Sequence, residues 1–281
     1  MQKNSAKEIE WRQVSQHRAE SPWFRRLLQG VPGEPDNYEF SLVRVDGEYH
    51  TPRHKHNFDQ IRIMIDGSFD FGNAVQREGM IGYFPAGTPY TQSADSSSVT
   101  LLLQIGAACK QGYLSYDQVE EAAEKLAEKG RFDGGLYYWA NDQGEEKKRD
   151  GYEAVFIEGA GVLPEYPLPR FLNPVIINPI AVEALVDKQL HGRTRALGTF
   201  NEYGLSICVR EASKGESFSL EGANGQKVLV YCLSGSGETA ALGAYEEGVA
   251  IALDHSETLA LTAGSDSRFV QIDLPDFGRG K

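Results

Sequence analysis

A chain of 281 residues, 41% hydrophobic and 24% charged, has the apolar content to fill one large core or two ordinary ones, which excludes a disordered polymer. Its net charge of −12 argues against nucleic acid and against an anionic membrane surface, since both are bound by clustered Lys and Arg. No run approaches the ~20 apolar residues that span a bilayer, and the stretch 1–21 lacks the apolar segment of a secretion signal. Cys109, Cys208 and Cys232 lie far apart with no CxxC pair, so they read as buried structural thiols of a cytoplasmic protein.

Residues 1–36 are polar and punctuated, ending in Gly30-Val31-Pro32-Gly33-Glu34-Pro35; they read as an N-terminal arm with a short helix around Trp23 to Leu28. Residues 37–110 change to short β-rich runs, FSLVRV, QIRIMI, MIGYF and VTLLLQI, with no helix between them, the mark of an antiparallel sandwich or barrel. Residues 111–160 read as a helical linker. Ser115 and Gln118 form a capping box, Val119, Ala122, Ala123 and Leu126 share one face, Glu121 and Lys125 pair at i,i+4, and Gly130 is the expected stop. Tyr137-Tyr138-Trp139 is expected to pack between domains, and 141–151 to be a surface turn. The proline-dense run 163–179 cannot be helical and reads as an extended strap between two domains. Residues 161–281 hold a second β-rich block, from about Leu197 to Leu274. The predicted fold class is mainly all-β, two barrels joined by a short helical linker.

The two β-blocks look like copies. Gly67 ends one run and Gly79 opens the next; Gly235 and Gly248 take the same places 168 and 169 residues later. Similar apolar runs flank each pair, QIRIMIDG and VLVYCLSG before it, MIGYFP and VAIALD after it.

The chemistry gathers in the first copy, where His50, His54 and His56 fall within seven residues. In an extended segment His54 and His56 share a face, and both imidazoles can reach one ion; Gln60 has the same parity. Past Gln60, Arg62 and Met64 should point inward, while Ile61, Ile63 and Ile65 point outward and need covering by the second domain or by a twin subunit in a homodimer. Arg62 suits a substrate carboxylate or phosphate, with a salt bridge to Asp59 or another barrel acid as the plainer alternative. Gln104 and Tyr83 are further candidates for the pocket.

The stretch from His54 through His56 and Gln60 to Gly67 resembles the first motif of the cupin family. Gly79, Pro85-Ala86-Gly87 and Tyr90 resemble its second. The resemblance implies two cupin β-barrels and makes His54, His56, Gln60 and Tyr90 metal ligands. Two of these depart from the family pattern, Gln60 standing for an acidic ligand and Tyr90 for the last histidine. Glutamine is a weaker, neutral ligand, and a phenol binds well only once ionised; a protonated Tyr90 would serve as general acid or substrate donor. In the second copy the matching positions hold Gly222, Asn224, Val228 and Leu259, so that barrel is expected to bind no metal, with His255 in a loop.

Such a resemblance implies a metal-dependent enzyme acting on a small organic molecule, first of all an oxygenase of dioxygenase type. Its cofactor would be one divalent transition metal, iron foremost and nickel, copper, manganese or zinc as others. Tyr90 and Arg62 would be the catalytic residues. Two other readings stand beside it: a non-catalytic binding or sensing module, and a metal-free epimerase or isomerase. The sequence has no GxSxG, no P-loop and no dinucleotide fingerprint ahead of a helix.

Overall fold

The computed structural model describes residues 1–13, 22–32, 34, 37–106, 113–187 and 192–277, so Cys109 lies outside the described residues. Contacts group the chain into two units, Trp11–Ile176 and Met1–Glu10 with Ile177–Lys281. Among the described residues no helix is long and apolar enough to cross a membrane.

The N-terminal unit is built on a seven-stranded sheet, in the order Val175–Ile177, Ile81–Phe84, Asp59–Asp66, Ser98–Ile105, Tyr38–Val45, Trp23–Gln29 and Arg12–Gln13. A four-stranded sheet runs Tyr49–His54, Tyr90–Ala94, Ser68–Asp70 and Val75–Arg77. The C-terminal unit repeats the plan. Its seven strands run Gln2–Ser5, Val249–Leu253, Val228–Ser234, Ser267–Asp273, Ser206–Ala212, Gly192–Thr199 and Leu185–Asp187. Its four run Ser217–Glu221, Thr258–Ala263, Ser236–Thr239 and Gly243–Glu246. The repeat inferred from the glycines is therefore a repeat of every barrel strand. Gly67, Gly79, Gly235 and Gly248 all have positive φ, between 75° and 92°, which a side chain resists. At Gly67 a Cβ would press on Ser98, and at Gly235 on Ser267, the equivalent residue.

Apolar packing decides which face of each strand is inside. In the C-terminal unit Phe218, Leu220, Val228, Val230, Cys232, Leu259 and Leu261 belong to one buried cluster, so that barrel is closed by hydrocarbon. In the N-terminal unit Met64, Phe69, Phe71, Phe84 and Tyr90 close only part of the interior. Ile61 and Ile63 are buried as well, so the strand Asp59–Asp66 has lost water from both faces as far as Met64, while Ile65 is half-buried.

The helix α1 spans Tyr116–Ala127 with the expected capping box, and the Lys125–Glu121 pair closes at 2.7 Å. Three expectations need correction. Trp23–Gln29 is a strand, because the exposed edge of Tyr38–Val45 needs a hydrogen-bonding partner and Phe24, Leu27 and Leu28 bury against the sheet, which outweighs weak helix propensity. Gly130 opens a strand instead of ending the helix; it is glycine because a Cβ there would meet the Tyr138 carbonyl. The stretch 141–151 is a turn only as far as 145. It continues as the strand Glu146–Asp150, and Asp150 caps a second helix, α2 (Gly151–Ala160), ended by Gly161 at φ 73°. Tyr137 and Trp139 stack on each other and pack with residues of α1 and α2 within this unit.

Burial raises the thiol of Cys208 to about 11 and that of Cys232 to about 12. Both stay protonated at neutral pH and are poor nucleophiles. Iodoacetamide at neutral pH should leave these two residues unmodified in the folded protein and label them after denaturation, as read by peptide mass spectrometry; rapid native labelling of either would contradict the packing described.

Candidate small-molecule site in the N-terminal barrel

Strand alternation brings the predicted residues together. His54 ends the strand Tyr49–His54 and pairs in register with Tyr90. On Asp59–Asp66, Gln60 and Arg62 lie two apart, opposite Gln104 and Leu102 of the neighbouring strand. The rings of His54 and His56 are 5.0 Å apart, and that of Tyr90 lies 4.7 Å from His54 and 6.1 Å from His56. His54 Nδ1 is 2.8 Å from the Pro52 carbonyl; it must be the protonated nitrogen there, which makes Nε2 the basic one. His50 is exposed and takes no part. In the other barrel His255 is an exposed loop residue with Nδ1 3.2 Å from the Gly225 carbonyl.

These residues surround a cavity of about 140 Å³, a size suited to a molecule of a few heavy atoms. Its polar wall includes His54, His56, Gln60, Arg62, Gln92, Gln104 and Tyr116, and its apolar wall includes Val43, Val45, Phe69 and Leu102. Among the described residues no Asp or Glu lines it. Tyr90 is not on the wall, and it joins the site through Arg62. Tyr83 is fully buried and hydrogen-bonds to Asp59, so it belongs to a different cluster from the pocket.

Arg62 organises the interior. Its Nε and Nη2 donate to Gln60 Oε1 at 3.1 and 2.7 Å, Nη2 also donates to the Tyr90 hydroxyl at 2.8 Å, and Nη1 donates to Gln92 Oε1 at 2.5 Å. The guanidinium carbon also lies 4.5 Å from the Phe84 ring centre and 5.2 Å from that of Tyr90. Hydrogen bonds to a charged group contribute ~1.5–3 kcal/mol each, and a desolvated cation–π contact about 2 kcal/mol. They hold the side chain but do not neutralise it. Arg62 is only 7% exposed, yet no carboxylate of a described residue lies within 4.0 Å of it. The alternative of a salt bridge to Asp59 does not form. Asp59 faces away, accepts from the Ala86 amide at 2.7 Å and the Tyr83 hydroxyl at 3.2 Å, and sits 3.5 Å from Arg170.

Gln92 was not visible as a site residue in the sequence. The signal was there in its parity: it follows Tyr90 by two on one strand, as Arg62 follows Gln60 on another. Tyr116 was missed because it sits in the first turn of α1, outside the barrel strands. Burial pushes its phenol well above the usual range, with the Glu39 carboxylate adding to the effect, so it remains a neutral hydroxyl. Glu39 itself is held by Arg26 at 3.1 Å and by the Tyr116 amide at 3.0 Å.

A metal bound by His54, His56, Gln60 and Tyr90 does not fit this arrangement. Because Arg62 can only donate, it fixes which end of each amide faces it, and the Gln60 carbonyl and Tyr90 oxygen already face a cation. Two of the four oxygen and nitrogen donors are therefore taken, leaving a pair of imidazoles. Among the described residues no group of three or more His, Cys, Asp or Glu is placed to hold a metal ion.

The turn carrying the second motif locks the first. The Gly87 amide donates to the His56 carbonyl at 2.8 Å. Gly87 has φ 80°, and a Cβ there would run into the Pro167 carbonyl of the proline-rich segment.

A candidate dioxygenase of Nostoc punctiforme aligns over 98% of this chain and 82% of its own, at 11% identity and a TM-score of 0.66. Oxalate decarboxylase of Bacillus subtilis, whose Mn(II) centres have been characterised, aligns over 98% and 76% at 15% identity and a TM-score of 0.58. The chain has the two-cupin fold. A candidate glyoxylate-induced protein of Pseudomonas aeruginosa aligns over 93% of this chain and 84% of its own, at 11% identity and a TM-score of 0.60. No protein-family model and no curated protein matches the sequence. Identities this low establish the bicupin architecture and leave the reaction to the pocket.

Gly87→Ala should destabilise the protein more than Gly79→Ala does. At Gly79 the φ is equally positive but nothing lies within 4 Å, so the cost is backbone strain alone, about 1–2 kcal/mol. Urea denaturation of the two variants checks this, and equal midpoints would show that the Pro167 contact carries no weight.

Proposed function

We propose that the N-terminal barrel binds a small organic anion, a carboxylate of a few heavy atoms, on the Arg62 guanidinium. The observation that carries this reading is the buried charge of Arg62 with no carboxylate partner among the described residues. Taking a charge out of water without a counter-charge costs several kcal/mol, and a bound carboxylate relieves that cost. In a chain of net charge −12, a cavity with no acidic wall residue among the described residues attracts anions and not cations.

The hydrogen-bond directions support the same ligand. Four N–H bonds of Arg62 are committed to Gln60, Tyr90 and Gln92, and one on Nη1 remains. Gln60 and Gln92 turn their carbonyl oxygens to Arg62, so the amide NH2 groups are what they have left to offer; neither NH2 hydrogen-bonds a described residue. The Tyr116 hydroxyl, kept neutral, is a further donor. A pocket that presents N–H and O–H groups and one positive charge is complementary to a carboxylate. His54 and His56 then stand beside the ligand as proton acceptors or donors, which supports isomerase- or epimerase-type proton transfer as the reaction, if the ligand is turned over, and a sensing role if it is not.

A second reading is metal-dependent oxygenase chemistry, on iron or another divalent metal. The 5.0 Å approach of the two imidazoles favours it. It requires the guanidinium to leave the oxygens of Gln60 and Tyr90.

Thermal-shift and calorimetric titration with a panel of small mono- and dicarboxylates should find ligands that stabilise the wild type. Arg62→Lys, which keeps charge but loses the fork, should weaken them at least about tenfold, and Arg62→Met should abolish binding. Equal binding by Arg62→Met would refute the anion reading. Elemental analysis of untagged wild type beside His54→Ala/His56→Ala decides the other reading, which needs stoichiometric metal in the first and none in the second.

A further inference from the structure

The position of Arg62 carries a consequence for cations that does not depend on which anion binds. The two oxygens that the cupin pattern would give to a metal, Gln60 Oε1 and the Tyr90 hydroxyl, both accept from one nitrogen of the guanidinium, Nη2, at 2.7 and 2.8 Å. Nε adds a third contact to the same Gln60 oxygen at 3.1 Å, and the Tyr90 hydroxyl is 3.2 Å from it. The side chain is wedged there by Phe71, Phe84 and Tyr90, whose ring centres lie 5.6, 4.5 and 5.2 Å from its central carbon. Nη1 is tethered to Gln92 on the next sheet. A positive group is thus bound to two of the four donors that an ion would need.

We propose that the Arg62 guanidinium is a built-in replacement for the metal ion and that it excludes divalent cations from this pocket. Three features make the replacement coherent. The charge has the same sign as the ion it replaces. The donor set has lost its acidic member to Gln60, so no negative ligand remains to pull an ion in against the guanidinium. The polar donors have nevertheless been kept, and turned inward, because Arg62 requires them. The C-terminal barrel sets off the point. There the positions of Gln60, Arg62, Tyr90 and Gln92 are Val228, Val230, Leu259 and Leu261, all within the buried apolar cluster. That barrel has lost its ligands outright. The N-terminal barrel retains His54, His56, Gln60 and Tyr90 with their entry to the cavity blocked by charge, and the blockade is a single side chain.

The test is a gain of function. Removing the guanidinium in Arg62→Met, with Arg62→Gln as a second variant that can still hydrogen-bond Gln92 and Tyr90, should release the donors. Equilibrium dialysis against Co(II), with the visible spectrum of the bound ion, is run on untagged wild type and both variants, each checked for folding by near-ultraviolet circular dichroism. The expected result is no stoichiometric Co(II) in the wild type and binding tightened more than about tenfold in at least one folded variant, lost again when His54→Ala/His56→Ala is added. Wild type that holds stoichiometric Co(II) lost with the two histidines overturns the proposal, and so do folded variants that bind no more tightly than wild type. Should neither variant fold, the wild-type measurement still decides whether the pocket excludes the ion. Failure here is separable from failure of the anion reading, because that one is read by carboxylate titration of wild type with no metal present.

Discussion

Arg62 carries five N–H donors and no acceptor, and in the interior of a β-barrel that asymmetry dictates the state of everything around it. The amides of Gln60 and Gln92 must turn their oxygens toward it. Tyr90, accepting from Nη2, has its own proton to give, and Gln60 Oε1 stands 3.2 Å away to take it. The cavity then inherits the opposite ends of these groups. A buried cation held by neutral oxygens and aromatic faces is stable enough to stay, since ~1.5–3 kcal/mol per charged hydrogen bond offsets much of its desolvation, but its field is left uncancelled. The character of the whole pocket follows from that one uncancelled field.

The second barrel shows that the fold does not need any of this. The same strands, in the same order and with the same positive-φ glycines, enclose Val228, Val230, Leu259 and Leu261 in hydrocarbon. Each polar group buried in place of an apolar one costs roughly 1–3 kcal/mol unless it is satisfied. The N-terminal barrel carries that burden at Gln60, Arg62, Tyr90 and Gln92 on a scaffold that demonstrably packs without it. The fold itself does not require them.

Much of this was legible in the residues. The spacing of Gly67 and Gly79 against Gly235 and Gly248 marks the duplication because each must adopt a left-handed conformation that few other residues tolerate. The period of two along Asp59–Asp66 puts Gln60, Arg62 and Met64 on one face without any knowledge of the neighbours. What could not be read was which group would satisfy which. That Arg62 would take the oxygens of Gln60 and Tyr90, leaving Asp59 to the turn at Ala86, depends on the register between strands far apart in the chain. The strand Trp23–Gln29 escaped for a similar reason: its conformation is imposed by the edge it completes and hardly at all by its own sequence.

The outermost strand of the C-terminal sheet is Gln2–Ser5, paired residue for residue with Val249–Ala252. The outermost strand of the N-terminal sheet, Val175–Ile177, lies just ahead of the second copy, as Gln2–Ser5 lies ahead of the first. During synthesis, Gln2–Ser5 precedes its partner by some 240 residues, at ~5–20 residues per second. For that interval of roughly ten seconds or more, a strand edge waits without its mate, and closing so long a loop carries an entropic cost that local pairs do not bear. The sheet of the C-terminal barrel is thus complete only when its last strands have been made, and the nascent chain is open to chaperone capture and to mispairing between chains while Gln2–Ser5 is still unclaimed.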